Sequence, residues 1–592
     1  MDSSSTTDII NRAKQYIADE HDAGFKAEVE KLIASGDAKE LEDRFYRDLE
    51  FGTGGLRGVI GGGTNRMNTY VINKATQGLA NYFKKIFPDK AKTEGGLKAV
   101  VAFDSRRYSR EFAEATALIF AANGFKTYLF SSMRPTPELS FAIRTLGCDT
   151  GVVVTASHNP PQYNGYKAYW TTGVQVIEPH DEGIITEVGA VQSVKTISKD
   201  EALKKGLLNI IDKEIDELYW KMVTAQLFRP ELIRAKANEV KVVYTPLHGT
   251  GAMHVEKVLG DLGLTVITVP EQKEGNGEFP TVEKPNPEEA PAMKMAIDLA
   301  KKEKADVVMA TDPDADRFGT AFPDKNGNYV LVTGNQMGAL LTDYVCLSKK
   351  EKGLPKNPAI IRSIVTSSFS DKIAAHYGIK TIECLTGFKW IGSVMDDFEK
   401  SGDSYIFGFE ESYGYLVEKD IRDKDGISAA AMCAEMTLYW RSQGKSLLER
   451  LNELYTQFGY HEDRAISKNF PGSAGNAQMA DIMKKLRADG LKNLGGKKVV
   501  MIRDIQESVS YDPYDSGNSA GAKQKLALPK SNVLQFFLEG GTVVSARPSG
   551  TEPKIKFYIN AALPAGNALE ASRVQVDGLC AAITAEINSV LG

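Results

Sequence analysis

The strongest constraint on this chain is a pattern that occurs three times: strand, helix, strand, helix, strand, with the last strand running into a loop of reactive residue types. In the first pass an apolar run at 98–103 precedes an amphipathic segment at 110–123 and a short strand at 126–130. A helix follows Pro137, and the β-branched run 151–155 then stops at Ala156-Ser157-His158-Asn159-Pro160-Pro161, where the prolines forbid strand or helix to continue. The second pass has strands at 240–244, 264–269 and 306–310, helices at 251–263 and 288–304, and ends in Thr311-Asp312-Pro313-Asp314-Ala315-Asp316-Arg317. The third has strands at 359–365, 380–385 and 404–407, helices at 369–377 and 389–400, and ends in Gly408-Phe409-Glu410-Glu411-Ser412. Alternating strands and helices of this kind predict α/β units, whose ligand loops gather at the carboxyl ends of the strands.

Beyond about Tyr460 the plan changes. Strands at 497–502, 533–538, 542–546 and 555–559 come with turn residues and lead into one helix to the C-terminus, which predicts an antiparallel α+β domain. The expected division is a first α/β domain over 1–212, opening with a helical stretch and carrying the serine loop. A second over 213–322 carries the aspartates, a third over 323–455 the glutamates, and an α+β domain covers 456–592. A chain of 592 residues, 42% hydrophobic and 25% charged, has apolar material for several cores of this size.

Charge and targeting signals narrow the function classes. The net charge of -5 offers no general attraction for nucleic acid or an anionic membrane, and no basic run stands out. The polar, acidic start Met1-Asp2-Ser3-Ser4-Ser5-Thr6-Thr7-Asp8 lacks the pattern of a secretory signal, and no apolar run has the length of a membrane span. Cys148, Cys346, Cys384, Cys433 and Cys580 are far apart without Cys-x-x-Cys spacing, as expected of reduced, buried thiols in a cytoplasmic protein.

Each strand-end loop has a plain structural reading and a chemical one. The Ser157 hydroxyl could simply bond nearby backbone amides. The polar neighbours His158 and Asn159, and Lys167 just downstream, point instead to a nucleophile. A lysine there can hold anionic oxygens or, with a lowered pKa, exchange protons with a hydroxyl. Asp312, Asp314 and Asp316 at alternate positions can converge on one hard cation. They are not an EF-hand, since Arg317 and Pro323 stand where that loop needs Gly and Glu. Three carboxylates leave room for phosphate oxygen as a further ligand, which suits Mg2+.

Glu410 and Glu411 suggest a glycosidase pair, but adjacent strand residues face opposite ways. Glu410 with Ser412, on one face, can instead bond neighbouring sugar hydroxyls. The run from Arg547 through Ser549, Gly550 and Thr551 to Lys556 combines hydroxyls, a glycine amide and cations, a nest for a phosphate dianion. The glycine-rich stretch 52–58, with Arg57, lets backbone approach phosphate but lacks the spacing of a nucleotide-binding motif.

These loops, in this order over nearly the whole chain, resemble the α-D-phosphohexomutase superfamily, within it the phosphoglucomutases most of all. The resemblance implies three α/β domains and a fourth like a TATA-binding-protein fold, set around a central cleft. It makes Ser157 the phosphoserine and Asp312, Asp314 and Asp316 the Mg2+ ligands, shared with the serine's phosphoryl oxygen. Arg317 and Arg57 become anion contacts, Glu410 and Ser412 the sugar-reading pair, and Arg547, Ser549, Gly550 and Thr551 the holders of the non-reacting phosphate. Lys556 stands where some relatives have arginine. Lys167 and His158 are candidates for proton transfer, and Lys389 matches another cleft cation.

The implied activity interconverts glucose 1-phosphate and glucose 6-phosphate through glucose 1,6-bisphosphate, with a small phosphosugar as partner and neither nucleic acid nor a membrane. The Glu-Glu-Ser version of the sugar loop resembles phosphoglucomutases. The long N-terminal region and Gly-Phe-Glu-Glu-Ser-Tyr resemble a branch that includes phosphopentomutases and glucose-1,6-bisphosphate synthases, and phosphomannomutases share the scaffold. A serine phosphatase with two metals is disfavoured by only seven histidines with no His/Asp cluster, and a silent interaction protein by the intact serine and aspartates.

Overall fold

The computed structural model describes residues 3–52, 54–470, 473–514, 523–548 and 554–591. The chain divides into two compact units. One comprises residues 1–332 with 395–397 and 413–439; the other comprises 333–394, 398–412 and 440–592.

In the first unit, Lys98–Phe103, Lys126–Phe130 and Thr150–Val154 are parallel strands, and Thr150–Val154 is buried along its whole length, as a strand covered on both faces must be. The third strand lies beside the first, on the side away from the second. The same order recurs in Lys241–Thr245, Thr265–Thr268 and Val307–Thr311, and again in the second unit in Pro358–Ser363, Lys380–Cys384 and Ser404–Glu410. Moving one way along the sheet and then back across the first strand puts the two right-handed crossover helices on opposite faces. The third strand's carboxyl end is left open for a loop.

Several elements were not legible in the sequence. The glycine-rich stretch is not a free loop: Gly55–Val59 is a strand, paired antiparallel with Tyr163–Tyr169, which in turn pairs with Thr150–Val154. Leu208–Ile211 adds a parallel edge to this sheet, and the hairpin Phe318–Pro323 with Tyr329–Val332 extends the second. The N-terminal stretch is helical, as expected, in three helices, Ser3–Asp19, Ala23–Ser35 and Ala38–Phe45, with a small core of Ala13, Tyr16, Val29, Leu41 and Phe45. Asp22 and Asp37 cap the second and third by accepting from backbone amides of the first turn.

The final domain is an antiparallel sheet. His461–Asn469, Lys554–Ala562, Val543–Pro548, Leu534–Leu538 and Lys497–Asp504 lie side by side in that order, with helices Ser473–Asp489 and Leu569–Leu591. The strand His461–Asn469 and the helix Ser473–Asp489 are additions to the sequence reading. Ile364, Val365 and Leu385 form one apolar cluster with Ile505, Val533 and Tyr558, joining this sheet to the third α/β layer within the second unit. No helix among the described residues is long and apolar enough to cross a membrane. All five cysteines are buried and free.

Asp463, on the strand His461–Asn469, carries a pH signature. Burial pushes its carboxyl up to about 7, against hydrogen bonds involving Asn335 and Ser367, and the charges of Glu411 and Glu462 push the same way. A carboxyl raised in the folded state contributes stability below its unfolded pKa, near 4, that is lost as pH rises to about 7. Asp463→Asn should therefore raise the melting temperature more at pH 8 than at pH 5, the difference being about 2.5 kcal/mol in unfolding free energy. Equal gains at both pH values by calorimetry would contradict it.

Candidate active site

Ser157 sits just past Thr150–Val154 with φ of 50°, in the left-handed region that L-residues adopt only under constraint. The constraint is a chain of bonds from the neighbouring strand end. The Ser157 amide donates to Thr155 Oγ1 at 2.8 Å, and Thr155 Oγ1 donates to Asp104 Oδ2 at 2.6 Å. Arg106 completes it by donating to four carbonyls of the loop, those of Ser157, Asn159, Pro160 and Tyr163. A planar guanidinium can serve so many acceptors at once; an ammonium cannot hold the same fork. The loop is fixed by groups that sit at the end of the first strand.

The hydroxyl so presented meets the second loop. Ser157 Oγ donates to Asp312 Oδ2 at 2.5 Å and lies 3.1 Å from His158 Nδ1. Asp312, Asp314 and Asp316 are at most 1% exposed, and one oxygen from each lies within 4.8 Å of the others. Three buried carboxylates this close repel unless neutralised. Lys167 Nζ donates to Asp314 at 2.8 Å and Asp316 at 3.1 Å, Lys424 Nζ lies 3.0 Å from Asp316, and the Arg317 amide donates to Asp312 at 3.0 Å.

Even so, Asp314 Oδ1 and Asp316 Oδ1 are buried without a hydrogen-bond partner among the described residues. Orphaned carboxylate oxygens of this kind, beside a serine hydroxyl, fit a hard divalent cation. Asp312, Asp314 and Asp316 are the residues that would hold it.

Electrostatics divide the cluster. Burial, with the charges of Asp314 and Asp316, pushes the Asp312 carboxyl well above the usual range. Burial acts on Asp316 too, but Lys167, Lys424 and Arg317 outweigh it and hold that carboxyl well below. Burial and the charges of Arg317 and Arg57 keep His158 neutral, its pKa well below the ordinary value. For Lys167 the structure corrects one expectation. Burial alone would lower its pKa, yet Asp314 and Asp316 outweigh that and raise it, which favours the ammonium form over the lowered pKa expected of a proton acceptor. Arg57 is exposed on the strand Gly55–Val59, and Arg317 pairs with Glu288.

The second unit holds the other candidates. Glu410 ends the strand Ser404–Glu410, 4% exposed, and accepts from the Gly387 amide at 2.6 Å. Ser412 lies in the turn after that strand, so the shared strand face expected of Glu410 and Ser412 does not extend to it. Glu411 accepts from Ser363 and Thr366 at 3.2 and 3.0 Å, which ties it into the scaffold and leaves no acid-base pair with Glu410. Lys389 stands in the first turn of Phe388–Ser401, its ammonium 6.0 Å from the Trp390 ring centroid. Arg547 is opposite Lys556 across two strands, and burial and the charge of Glu411 push the Tyr558 hydroxyl up to about 12 against the nearby Arg547. Ser549, Gly550 and Thr551 lie outside the described residues.

Three groups were missed in the sequence. Asp104 and Arg106 are themselves a strand-end pair and were findable by the rule that located Ser157. Thr136 donates to Asp314 Oδ2 at 2.7 Å from the start of the helix Thr136–Leu146, a contact with no local signal. Lys424 lies in Asp423-Lys424-Asp425, whose flanking carboxylates accept from Tyr169 and Tyr219, so that the lysine between them is aimed at Asp316. The charged run Arg422-Asp423-Lys424-Asp425 before an apolar helix was the available sign.

A second buried group of potential ligands, Glu138, Asp216 and His254, does not have the donor set of a cation site. The Trp220 indole, a donor only, reaches His254 Nδ1 at 2.9 Å, so the imidazole proton sits on Nε2, facing Glu138 at 3.2 Å. That lone pair is not available to a metal.

Comparison with known proteins agrees with this geometry. Three family models match: phosphoglucomutase/phosphomannomutase α/β/α domain I over 48–195, domain II over 217–327 and domain III over 333–458. Among curated relatives, a phosphopentomutase of Homo sapiens is 36% identical over 91% of this chain and 89% of its own length. A probable phosphoribomutase of Schizosaccharomyces pombe is 35% identical over 93% of each, and a phosphoglucomutase of Staphylococcus haemolyticus 34% identical over 88% and 91%. Among solved structures, the open form of the Paramecium phosphoglucomutase parafusin superposes with a TM-score of 0.68 at 21% identity, covering 92% of this chain and 94% of that one. With three matched domains and relatives of this identity over nearly its full length, the chain belongs to the phosphoglucomutase/phosphomannomutase family of the α-D-phosphohexomutase superfamily, and it is a phosphomutase of that kind.

Proposed function

We propose that this phosphomutase interconverts glucose 1-phosphate and glucose 6-phosphate, with Ser157 as the phosphoryl carrier. The observation that carries the reading is the 2.5 Å contact between Ser157 Oγ and Asp312 within a cluster that has two orphaned carboxylate oxygens. Mg2+ held by Asp312, Asp314 and Asp316 would neutralise charge on the phosphoryl oxygens. The bond from phosphorus to Ser157 Oγ breaks as one forms to a sugar hydroxyl oxygen, and the hydroxyl proton is returned to Ser157 Oγ. The resulting bisphosphate turns end for end and gives its other phosphate back to Ser157.

Lys167, as an ammonium, is suited to hold phosphoryl oxygens, and neutral His158, 3.1 Å from Ser157 Oγ, to pass the proton. The burial of Ser157 and the aspartates keeps water from the phosphoester, which would otherwise discharge the enzyme. Glu410 and Ser412 are assigned to sugar hydroxyls, Lys389, Arg57 and Arg317 to anionic oxygens, and Arg547 and Lys556, with the turn at 549–551, to the non-reacting phosphate.

The glucose assignment rests on Glu410-Glu411-Ser412. A second reading, in which pentose phosphates are the substrate, is supported by the relatives named phosphopentomutase and phosphoribomutase. In a coupled assay, Ser157→Ala should lower turnover of glucose 1-phosphate by about four orders of magnitude and Asp314→Ala by about three. Unchanged turnover in Ser157→Ala contradicts the mechanism. Across glucose, mannose and ribose 1-phosphates, glucose should give the highest kcat/KM; a higher value for ribose assigns the chain to pentoses instead.

A further inference from the structure

Three bulky residues near the metal loop have left-handed backbones: Leu247 at φ 48°, His248 at 61° and Phe279 at 46°. Such residues persist only where the surroundings over-determine them, and they cluster where geometry serves a site. Here the surroundings are specific. Leu247 N donates to Thr245 Oγ1 at 3.1 Å, His248 N to the Gln272 carbonyl at 3.0 Å, and Asn276 N to the His248 carbonyl at 3.0 Å. The Gln272 amide donates to Thr281 Oγ1 at 2.9 Å, and His248 Nε2 lies 2.8 Å from the same oxygen; the ring's bond to the Glu274 backbone puts its proton on Nδ1, so that Nε2 accepts from Thr281. His248 thus locks the loop 246–250 to the loop 271–281.

Each loop then presses on a different half of the site. Gly249 lies so close to the metal loop that a Cβ there would stand 2.3 Å from Pro313 Cα, between Asp312 and Asp314, and Thr250 N donates to the Pro313 carbonyl at 2.8 Å. On the other side, a Cβ at Gly277 would stand 2.5 Å from Arg107 N. The Phe279 ring centroid is 4.9 Å from Arg106 Cζ, a cation–π contact on the guanidinium that holds the Ser157 loop.

We propose that His248 is a positioning residue. It joins the brace on the metal loop to the cap on Arg106, and so sets the gap between Ser157 and Asp312, Asp314 and Asp316 in which a phosphoryl group and a cation must fit together. The proposal rests on the reading of Ser157 as carrier and of the three aspartates as metal ligands. A gap wrong by about 1 Å is costly for in-line transfer even when every reacting group is present. The bracket belongs to neither loop by sequence, and it acts by coupling them.

The test reads coupling directly. Mn2+ alone is titrated by electron paramagnetic resonance into dephosphorylated enzyme and into enzyme phosphorylated with glucose 1,6-bisphosphate. Wild type should bind Mn2+ about tenfold more tightly when phosphorylated. His248→Asn, whose side chain tolerates the left-handed backbone but does not reach Thr281, and Phe279→Leu, on the other arm, should each reduce that ratio below about twofold. Dephosphoenzyme affinity and melting temperature should stay near wild type, and the double variant should be no worse than either single one.

A wild-type ratio retained in both variants overturns the bracket, as does an equal loss of affinity in both phosphorylation states, which marks a merely structural role. Should one variant fail to fold, the other decides alone. A wild type with no ratio overturns the reading of Ser157 and the metal loop, and this proposal with it, an outcome distinct from the first two.

Discussion

The site depends on one contact: a serine hydroxyl from one sheet meeting a carboxylate from another, both at the ends of third strands and both buried. Putting three aspartates at 0–1% exposure within reach of Ser157 is costly unless charge is balanced nearby. Much of the surrounding sequence is explained as that balance. Lys167 comes from the strand Tyr163–Tyr169, Lys424 from a segment pinned by Tyr169 and Tyr219, and Arg317 from the metal loop itself. The two carboxylate oxygens left without partners among the described residues are where that balance stops short, and a hard cation fits there.

The recurrence of one strand order in three layers gives the contact its reliability. Each layer winds so that its third strand returns beside its first, and the loop after the third strand emerges next to the loop after the first. In the first layer this neighbour supplies Asp104 and Arg106, which hold Ser157 in its left-handed backbone. In the second it supplies Gly249 and Thr250, which press on Pro313. In the third it supplies Ser363 and Thr366, which tie down Glu411 beside Glu410. Three chemically different loops are thus supported by the same device, the loop of the adjacent first strand.

The three repeats were readable because parallel strands buried on both faces are unbroken apolar runs, and their loops end them with Pro, Gly and charge. Ser157, Asp312, Asp314, Asp316 and Glu410 all lie where those runs stop. Strands whose extended form comes from pairing were not readable. Gly55–Val59 has two glycines in five residues and little intrinsic preference for a strand, yet it is fixed by register with Tyr163–Tyr169. Long-range partners left no local trace either: Thr136 and Lys424 reach the aspartates across about 100 or more residues of chain, a closeness only the fold creates. The lysine beside the serine was found for its position, but its charge state was set by two carboxylates that the sequence placed elsewhere.

The central claim is that phosphate resides on Ser157 during turnover. The most direct measurement is mass spectrometry of peptides from enzyme incubated with glucose 1,6-bisphosphate and Mg2+, before and after a chase with unlabelled glucose 1-phosphate. The account predicts a single phosphate on the peptide spanning Ser157, located at that residue and exchanged in the chase. Phosphate at another residue, or at none while turnover proceeds, would contradict it.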